Sequence, residues 1–269
     1  MLYERDYFLG LTEAEKQQYE EVTGRKFGEK RVSGFGRVNN FLAYPKAARM
    51  CKSLFPNNYL DVAELRDAER LAAANEEFFS LLSDEACTER SILNFIKEKK
   101  YYHIIGSIIW GLSINIGNHG AYLFPEFQLG NSYKADYLLM GKSSGGYEFI
   151  FIELESPYGN ITLKDGQLGA EFRDGISQLE DWKRWLPANY SSFGEVMRKH
   201  KNSALDLPEE FYVLDMSRFH YVVISGRRSD FQDKTYIIKR ERKKADDIDI
   251  IHYDNLYDFS NNLIGKLTY

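Results

Sequence analysis

The sequence lacks the features of a secreted, membrane or thiolate-bound zinc protein. It has only two cysteines, Cys51 and Cys87, so we expect neither a disulfide framework nor a CxxC zinc site. No apolar run approaches the ~20 residues that a membrane-spanning helix needs, and the first ten residues do not resemble a signal peptide. We therefore expect a cytoplasmic protein with no membrane contact, in which any metal is held by oxygen ligands.

Common catalytic motifs and a strong net charge are also missing. There is no GxSxG elbow or Walker loop, and the five histidines do not have the spacing of zinc ligands. The net charge of −5 argues against a protein that is permanently bound to nucleic acid, although local basic clusters can still bind phosphate. With 43% hydrophobic and 15% aromatic residues, the 269-residue chain has enough apolar surface for one substantial core and a smaller second unit.

Helical patterns dominate the first part of the chain. Thr12 and Glu15 have capping-box spacing for a first helix that Gly24 ends, residues 33–36 suggest a turn, and residues 61–82 predict a second helix. We predict a helical N-terminal region over residues 1–85 and an α/β domain over residues 86–269. The second unit opens with a helix over residues 88–100, on which Glu89 shares the core-facing side with apolar residues.

The pattern then becomes strand-like. Residues 121–129, 134–140 and 147–155 read as three strands, and the Gly- and Ser-rich residues 141–146 predict a hairpin loop between the second and the third. If Met140 lies opposite Tyr147, Asp136 lies diagonal to Glu153 and shares its face. A slip of one residue would move Asp136 to the other face.

The third strand ends in acids, which is the most informative feature of the chain. Phe149 to Ile152 are all apolar, whereas Glu153 and Glu155 follow at a spacing that places both carboxylates on one face. Carboxylates beside an apolar core need a compensating cation. Mg²⁺ or Mn²⁺ is the simplest candidate, since both prefer hard oxygen ligands. The alternatives are exposure at the strand end or ion pairs with nearby arginines, namely Arg173, Arg227 and Arg228.

The rest of the chain predicts alternating helices and strands. The stretch 171–186 reads as an amphipathic helix that ends at Pro187. The position of Gln178 on this helix is equally consistent with a site residue and with an ordinary surface amide. Strands over 221–225 and 248–253 and helices over 233–244 and 255–267 complete an α/β layer pattern.

Several motifs in this order resemble a known family. The chain contains FPEFQLG, KADYLL, FIELESP, GISQLEDWKRWL and YVVISGRR. This run is similar to the PD-(D/E)XK restriction-endonuclease-like superfamily, and more closely to the Shedu antiphage nucleases, from about residue 88 to the end. The resemblance implies a mixed central sheet flanked by helices, a metal-dependent DNA nuclease that uses Mg²⁺ or Mn²⁺, and a homo-oligomer such as a tetramer.

The resemblance also implies roles for individual residues. Asp136 and Glu153 match the two metal-binding acids, and Gln178 lines the site. Glu126 and Glu89 match acids that support the metal from the preceding strand and helix.

Glu155 departs from the superfamily, which usually has a lysine that orients the attacking water. Glu155 would instead bind metal or act as general base, and Lys164 is the candidate for a relocated lysine that also contacts DNA.

We therefore expect a metal-dependent deoxyribonuclease for antiphage defence, with little sequence specificity and with a response to DNA ends. Arg227, Arg228 and Lys164 would contact the backbone of double-stranded DNA. Two alternatives stay open: a catalytically inactive DNA-binding module, and an oligomeric sensor in which the acids form structural ion pairs.

Overall fold

The computed structural model describes residues 1–23, 40–114 and 116–269 of the chain. The predicted helix end at Gly24 and the predicted turn at residues 33–36 lie outside these ranges. The capping box at the start of α1 (Glu13–Thr23) is confirmed, because Thr12 N–H donates to Glu15 Oε2 at 2.8 Å and Glu15 N–H donates to Thr12 Oγ1 at 3.2 Å.

A mixed sheet forms the centre of the fold, as the α/β prediction requires. In the described residues its strands are β1 (Gly120–Leu129), β2 (Tyr133–Ser143), β3 (Gly146–Leu154), β4 (Phe219–Ile224) and β5 (Ile248–Ile251). They lie side by side in chain order. The first three are antiparallel neighbours, whereas β3, β4 and β5 run parallel.

The register of the β2–β3 hairpin differs from the predicted one by two residues. The strands continue to Ser143 and resume at Gly146, so Met140 pairs with Phe149 and not with Tyr147. Because side chains alternate with a period of two, a shift of two residues leaves every side chain on its predicted face. Continuing the observed pairing from Tyr137 and Ile152 brings Asp136 level with Glu153.

Helices flank this sheet and connect its strands. The main ones are α2 (Pro45–Lys52), α3 (Ala68–Leu82), α4 (Glu89–Lys99), α5 (His103–Gly106), α6 (Ile108–Gly111), α7 (Ala170–His200), α8 (Asp233–Asp246) and α9 (Tyr253–Leu263). Helix α7 packs on the face that carries Phe149 and Phe151, whose rings contact Phe193 at 5.3 Å and Trp182 at 6.0 Å. Glu153 and Glu155 follow on this same face because they continue the alternation.

Several predicted element boundaries are wrong. Helix α7 does not end at Pro187 but continues to His200, with non-helical dihedral angles at Asn189. Helix α3 starts at Ala68 rather than at residue 61, because the Asp67 side chain caps it by accepting from Arg70 N–H at 3.2 Å. Strand β5 ends at Ile251, and α9 already begins at Tyr253.

The N-terminal residues pack on the edge strand β1 and share one apolar core with the sheet. Leu60 N–H donates to the Ala121 carbonyl at 2.9 Å, and Asn58 Nδ2 donates to the Leu123 carbonyl at 2.9 Å. The boundary between residues 85 and 86 therefore stays a prediction. Within the described ranges, no helix is both long and apolar enough to cross a membrane.

Candidate active site

Asp136, Glu153 and Glu155 come together where β2 meets the end of β3. Leu154 N–H donates to Asp136 Oδ2 at 2.8 Å, which fixes the Asp136 carboxylate beside the strand end. Glu153 and Glu155 are only 7% and 9% exposed, so apolar neighbours have replaced most of their water. The predicted convergence of these acids on one face is thus present in the structure.

Burial and mutual repulsion raise the pKa of these three carboxyl groups and so favour their uncharged forms when no cation is bound. Burial raises the pKa of Glu153, and the charges of Asp136 and Glu155 raise it further. Burial also raises the pKa of Asp136, although the hydrogen bond from Leu154 opposes this shift. For Glu155, burial followed by the charges of Glu89, Glu171 and Asp174 raises the pKa to about 8. Such shifts in a cluster are typical of functional sites.

No cation of the described residues forms an ion pair with these three carboxylates, so the predicted structural alternative is not observed there. The buried Glu153 Oε2 atom has no hydrogen-bond partner in the described part of the chain. Such an unsatisfied buried oxygen costs free energy unless a ligand satisfies it. Over residues 1–23, 40–114 and 116–269, however, no group of three or more His, Cys, Asp or Glu side chains is arranged to hold a metal ion.

Helix α7 and helix α9 position Glu155. Gln178 Nε2 on α7 donates to Glu155 Oε1 at 3.4 Å, which places Gln178 at the site as predicted, although its own side chain is exposed. The buried Tyr253 hydroxyl at the start of α9 donates to the Glu155 carbonyl at 2.7 Å. Gly175 makes the close approach of α7 possible, because a Cβ there would lie 2.6 Å from Val223 Cγ2 and 2.9 Å from Glu155 Cγ.

The two predicted supporting acids occupy different environments. Glu89 is half-buried at the first position of α4, and burial followed by the Glu171 charge raises its pKa against the opposing charge of Arg90. Glu126 instead pairs with Lys134 at 2.9 Å and Lys97 at 3.4 Å, and the hydrogen bond from Lys134 lowers its pKa. Glu126 has a φ of +51°, a conformation uncommon for residues other than glycine, and the β1–β2 pairing skips it.

The predicted basic residues make no described contact with the three carboxylates. Lys164 is exposed in the loop after β3, and none of the described contacts joins it to the acids. Arg227 is largely buried and donates to Asp254 Oδ1 at 2.8 Å, to the Tyr158 hydroxyl at 2.9 Å and to the Leu82 carbonyl. Arg228 pairs with Asp258, and both side chains are about half exposed, at 56% and 44%.

Two acids were missed by the sequence analysis. Glu171 and Asp174, in the first turns of α7, are the acids whose charges act on Glu155 together with Glu89. They occur at i and i+3 relative to each other, with Gln178 at i+7, so all three lie near one side of the helix. Extending the helical spacing backwards from Gln178 would have identified them.

Comparison with known proteins identifies a family for this chain. Residues 86–257 match a family model described as Shedu protein SduA, C-terminal. No curated protein matches the chain.

Proposed function

Because the chain belongs to the Shedu family, whose members act in antiphage defence, we propose that it is a metal-dependent deoxyribonuclease that hydrolyses phosphodiester bonds. The observation that carries this proposal is the uncompensated carboxylate cluster of Asp136, Glu153 and Glu155, in which the buried Glu153 Oε2 atom lacks a partner. A cluster of this kind fits a divalent cation, since cation binding would stabilise all three ionised forms at neutral pH.

The donor set suits Mg²⁺ or Mn²⁺. Mg²⁺ is usually held by one or two carboxylates and completes its octahedral shell with water and substrate oxygens, so a closed set of three protein ligands is not required. Asp136 and Glu153 would hold the ion, with Glu155 beside them and Glu89 at the margin. A bound divalent ion would polarise the phosphoryl group and lower the pKa of a water ligand. Glu126 would support the metal ion only if its ion pairs with Lys97 and Lys134 were broken.

Glu155 is suited to take a proton from the attacking water. Glu155 must be ionised to act as a base, and a divalent cation bound beside it would favour that form because it stabilises the carboxylate. Gln178 donates a hydrogen bond to the Glu155 carboxylate, and the Tyr253 hydroxyl donates one to the Glu155 backbone carbonyl, so both restrict where the carboxylate lies. We assign Gln178 an orienting role and Glu155 the role of general base.

The DNA backbone would be held by basic residues that are free to exchange partners. Arg228 and Lys164 are exposed. The exposed ion pair Arg228–Asp258 contributes little to stability, so Arg228 can exchange it for a contact with phosphate. Arg227 has its donors occupied by Asp254, Tyr158 and Leu82, so it would act mainly by positioning the adjacent loop. Contacts to phosphate alone imply binding with little sequence preference.

A second candidate function is a DNA-binding module that holds metal without cleaving. The observation that favours it is the carboxylate of Glu155 at the position where the superfamily usually has lysine, with Lys164 in the exposed loop. Assembly into a homo-oligomer, as the resemblance implies, is part of either proposal and is testable by light scattering.

The test uses purified full-length protein with linear and closed circular plasmid, in the presence of Mg²⁺, Mn²⁺ or EDTA. The wild type is compared with an Asp136→Asn, Glu153→Gln double variant and with a control in which two exposed acids are replaced, Glu98→Gln and Glu195→Gln. We expect cutting only with metal, unchanged in the control and reduced at least about a thousandfold in the site variant. A difference between the two plasmid forms would show whether DNA ends matter.

Metal binding is measured separately by calorimetry and by the shift in unfolding temperature. If the wild type binds Mg²⁺ and DNA but cuts neither plasmid, the module proposal replaces the nuclease. If Mg²⁺ changes the stability of wild type and site variant equally, the carboxylates do not hold a metal.

A further inference from the structure

A cavity of about 400 Å³ lies between the N-terminal region and the end of α4 and shares no residue with the carboxylate cluster. It is bounded by the first residues of the chain, by α2 and by the end of α4. Six basic residues line its described part, namely Arg5, Lys46, Arg49, Arg70, Lys99 and Lys100, against two acids, Glu4 and Asp61. The lining itself therefore has more basic than acidic groups, while Arg5, Arg70 and Lys99 pair with Glu15, Glu64 and Glu77 outside it.

Arg49 is the buried anchor of this cavity. It is 5% exposed, and its guanidinium lies over the rings of Tyr3 at 4.9 Å and Tyr59 at 5.6 Å. Its Nη2 atom pairs with Asp61 at 2.5 Å, but its buried Nε atom has no hydrogen-bond partner among the described residues. Because the Nε atom is buried, Arg49 contributes a fixed positive charge beside the cavity rather than an accessible donor.

The surrounding lysines can exchange their present partners. Lys100 pairs with Glu4 at 3.0 Å, but the Glu4 side chain is 90% exposed. Lys99 pairs with Glu77 at 3.3 Å, and both side chains are about half exposed. Exposed pairs of this kind contribute little to stability, so a more highly charged anion would displace the glutamates. Lys46 is exposed at the start of α2.

We propose that this cavity binds a small ligand with two or more linked phosphate groups, such as a nucleoside polyphosphate. The basic residues lie on four separate segments, so they suit several phosphates better than one. The volume lies within the usual range for small-molecule sites, about 300–1,000 Å³. Lys46 and Lys100 would bind the phosphates from the rim of the cavity, and the buried Arg49 would add its positive charge from below them. The site is independent of the proposed nuclease chemistry.

The test is calorimetry on the metal-free full-length chain with pyrophosphate, ATP and inorganic phosphate. We expect saturable binding of pyrophosphate and ATP, weaker binding of inorganic phosphate, and a loss of about tenfold or more in affinity in the Lys46→Gln, Lys100→Gln variant. The charge-matched control is Lys199→Gln, Lys244→Gln, which removes two exposed lysines elsewhere and should change affinity by less than about twofold. Circular dichroism confirms that both variants are folded.

Three outcomes would overturn the proposal: no saturable binding of pyrophosphate or ATP, an equal loss of affinity in the control, or an unchanged affinity in the Lys46→Gln, Lys100→Gln variant. A 5′-phosphorylated duplex provides a further arm, and binding of the duplex without binding of free ATP or pyrophosphate would assign the cavity to nucleic acid instead. Since no readout depends on DNA cleavage, failure of the nuclease proposal would leave this test unaffected.

Discussion

Glu64 is a buried acid outside the candidate active site, and its environment makes it sensitive to pH. Its Oε1 atom accepts hydrogen bonds from the hydroxyls of Tyr269 at 2.5 Å and Tyr3 at 2.9 Å. Burial raises the pKa of Glu64 to about 7, although these two hydrogen bonds and the Arg70 charge lower it, and the Asp61 charge adds to the rise. Near neutral pH, the folded protein therefore holds a proton that the unfolded chain has released.

The sign of the resulting pH dependence follows from the raised pKa. The folded state binds more protons than the unfolded state between the ordinary glutamate pKa of about 4.5 and the folded value of about 7, so stability falls as pH rises through this window. We expect Glu64 to cost about 2 kcal/mol of unfolding free energy between pH ~5 and pH ~8. Glu64→Gln should remove this part of the loss.

Urea unfolding at both pH values measures the effect, with Glu13→Gln as control, because the Glu13 side chain is 87% exposed. Other acids contribute to the overall pH dependence of wild type and variants alike, so the difference between variants is the quantity of interest. If Glu64→Gln and wild type lose the same stability on going to the higher pH, Glu64 is ionised without cost in the folded protein.

At the same residue scale, the sequence predicted part of the candidate site. Alternation along β3 was enough to place Glu153 and Glu155 together, since it depends only on local geometry. The neighbourhood of Glu155 also contains Glu171 and Asp174 because α7 crosses the end of β3, and a crossing between distant segments has no local signal. The unpaired state of the carboxylates was likewise not predictable, because it depends on Arg227 and Arg228 pairing with other acids.

At the scale of elements, the sequence predicted types and order better than boundaries. Pro187 predicted a helix end because proline lacks the N–H that donates to the preceding turn. Helix α7 nevertheless continues, because Asn189 Nδ2 donates to the Trp185 carbonyl at 2.9 Å and the buried Tyr190, Phe193 and Met197 hold the second half against the core. Tertiary packing of this kind outweighs a local preference.

Arg227 joins three elements that local patterns do not connect. It bonds to the carbonyl of Leu82 at the end of α3, to Tyr158 in the loop after β3 and to Asp254 in α9. The Arg227 and Asp254 side chains are 13% and 14% exposed, so removing the arginine leaves a mostly buried carboxylate without its partner. We expect Arg227→Ala to lower the unfolding free energy by about 3 kcal/mol, as measured by urea denaturation.

Arg228→Ala is the matched comparison, and it should change stability by less than about 0.5 kcal/mol because its pair with Asp258 is exposed. In the Arg227→Ala, Asp254→Ala variant, part of the lost stability should return, since no buried charge is left unpaired. Equal and small effects of both single substitutions would mean that Arg227 is as free as Arg228 to contact DNA.

At the scale of the whole molecule, the N-terminal region and the sheet depend on each other. Leu54 N–H donates to the buried Tyr122 hydroxyl at 3.2 Å, and the Leu54 carbonyl accepts from Asn202 N–H at 2.7 Å. Phe55 contacts Tyr122 at 5.4 Å, Phe124 at 5.3 Å and Phe211 at 5.7 Å between ring centres, and it is fully buried. These contacts cover the β1 edge of the sheet, where unpaired backbone groups would otherwise be exposed.

We therefore expect a fragment of residues 86–269 to lack cooperative folding, although it contains the whole region that matches the family model. Removing residues 1–85 would expose the aromatic face around Tyr122 and Phe124 and uncover the β1 edge, which favours aggregation. Urea denaturation and near-ultraviolet circular dichroism of the fragment measure this directly. Co-expression with a separate 1–85 fragment is the control, because a restored, copurifying pair would show that the missing contacts are the cause. Cooperative unfolding of the isolated 86–269 fragment would instead establish it as an independent domain, and the packing on β1 would then be a docking contact between two units.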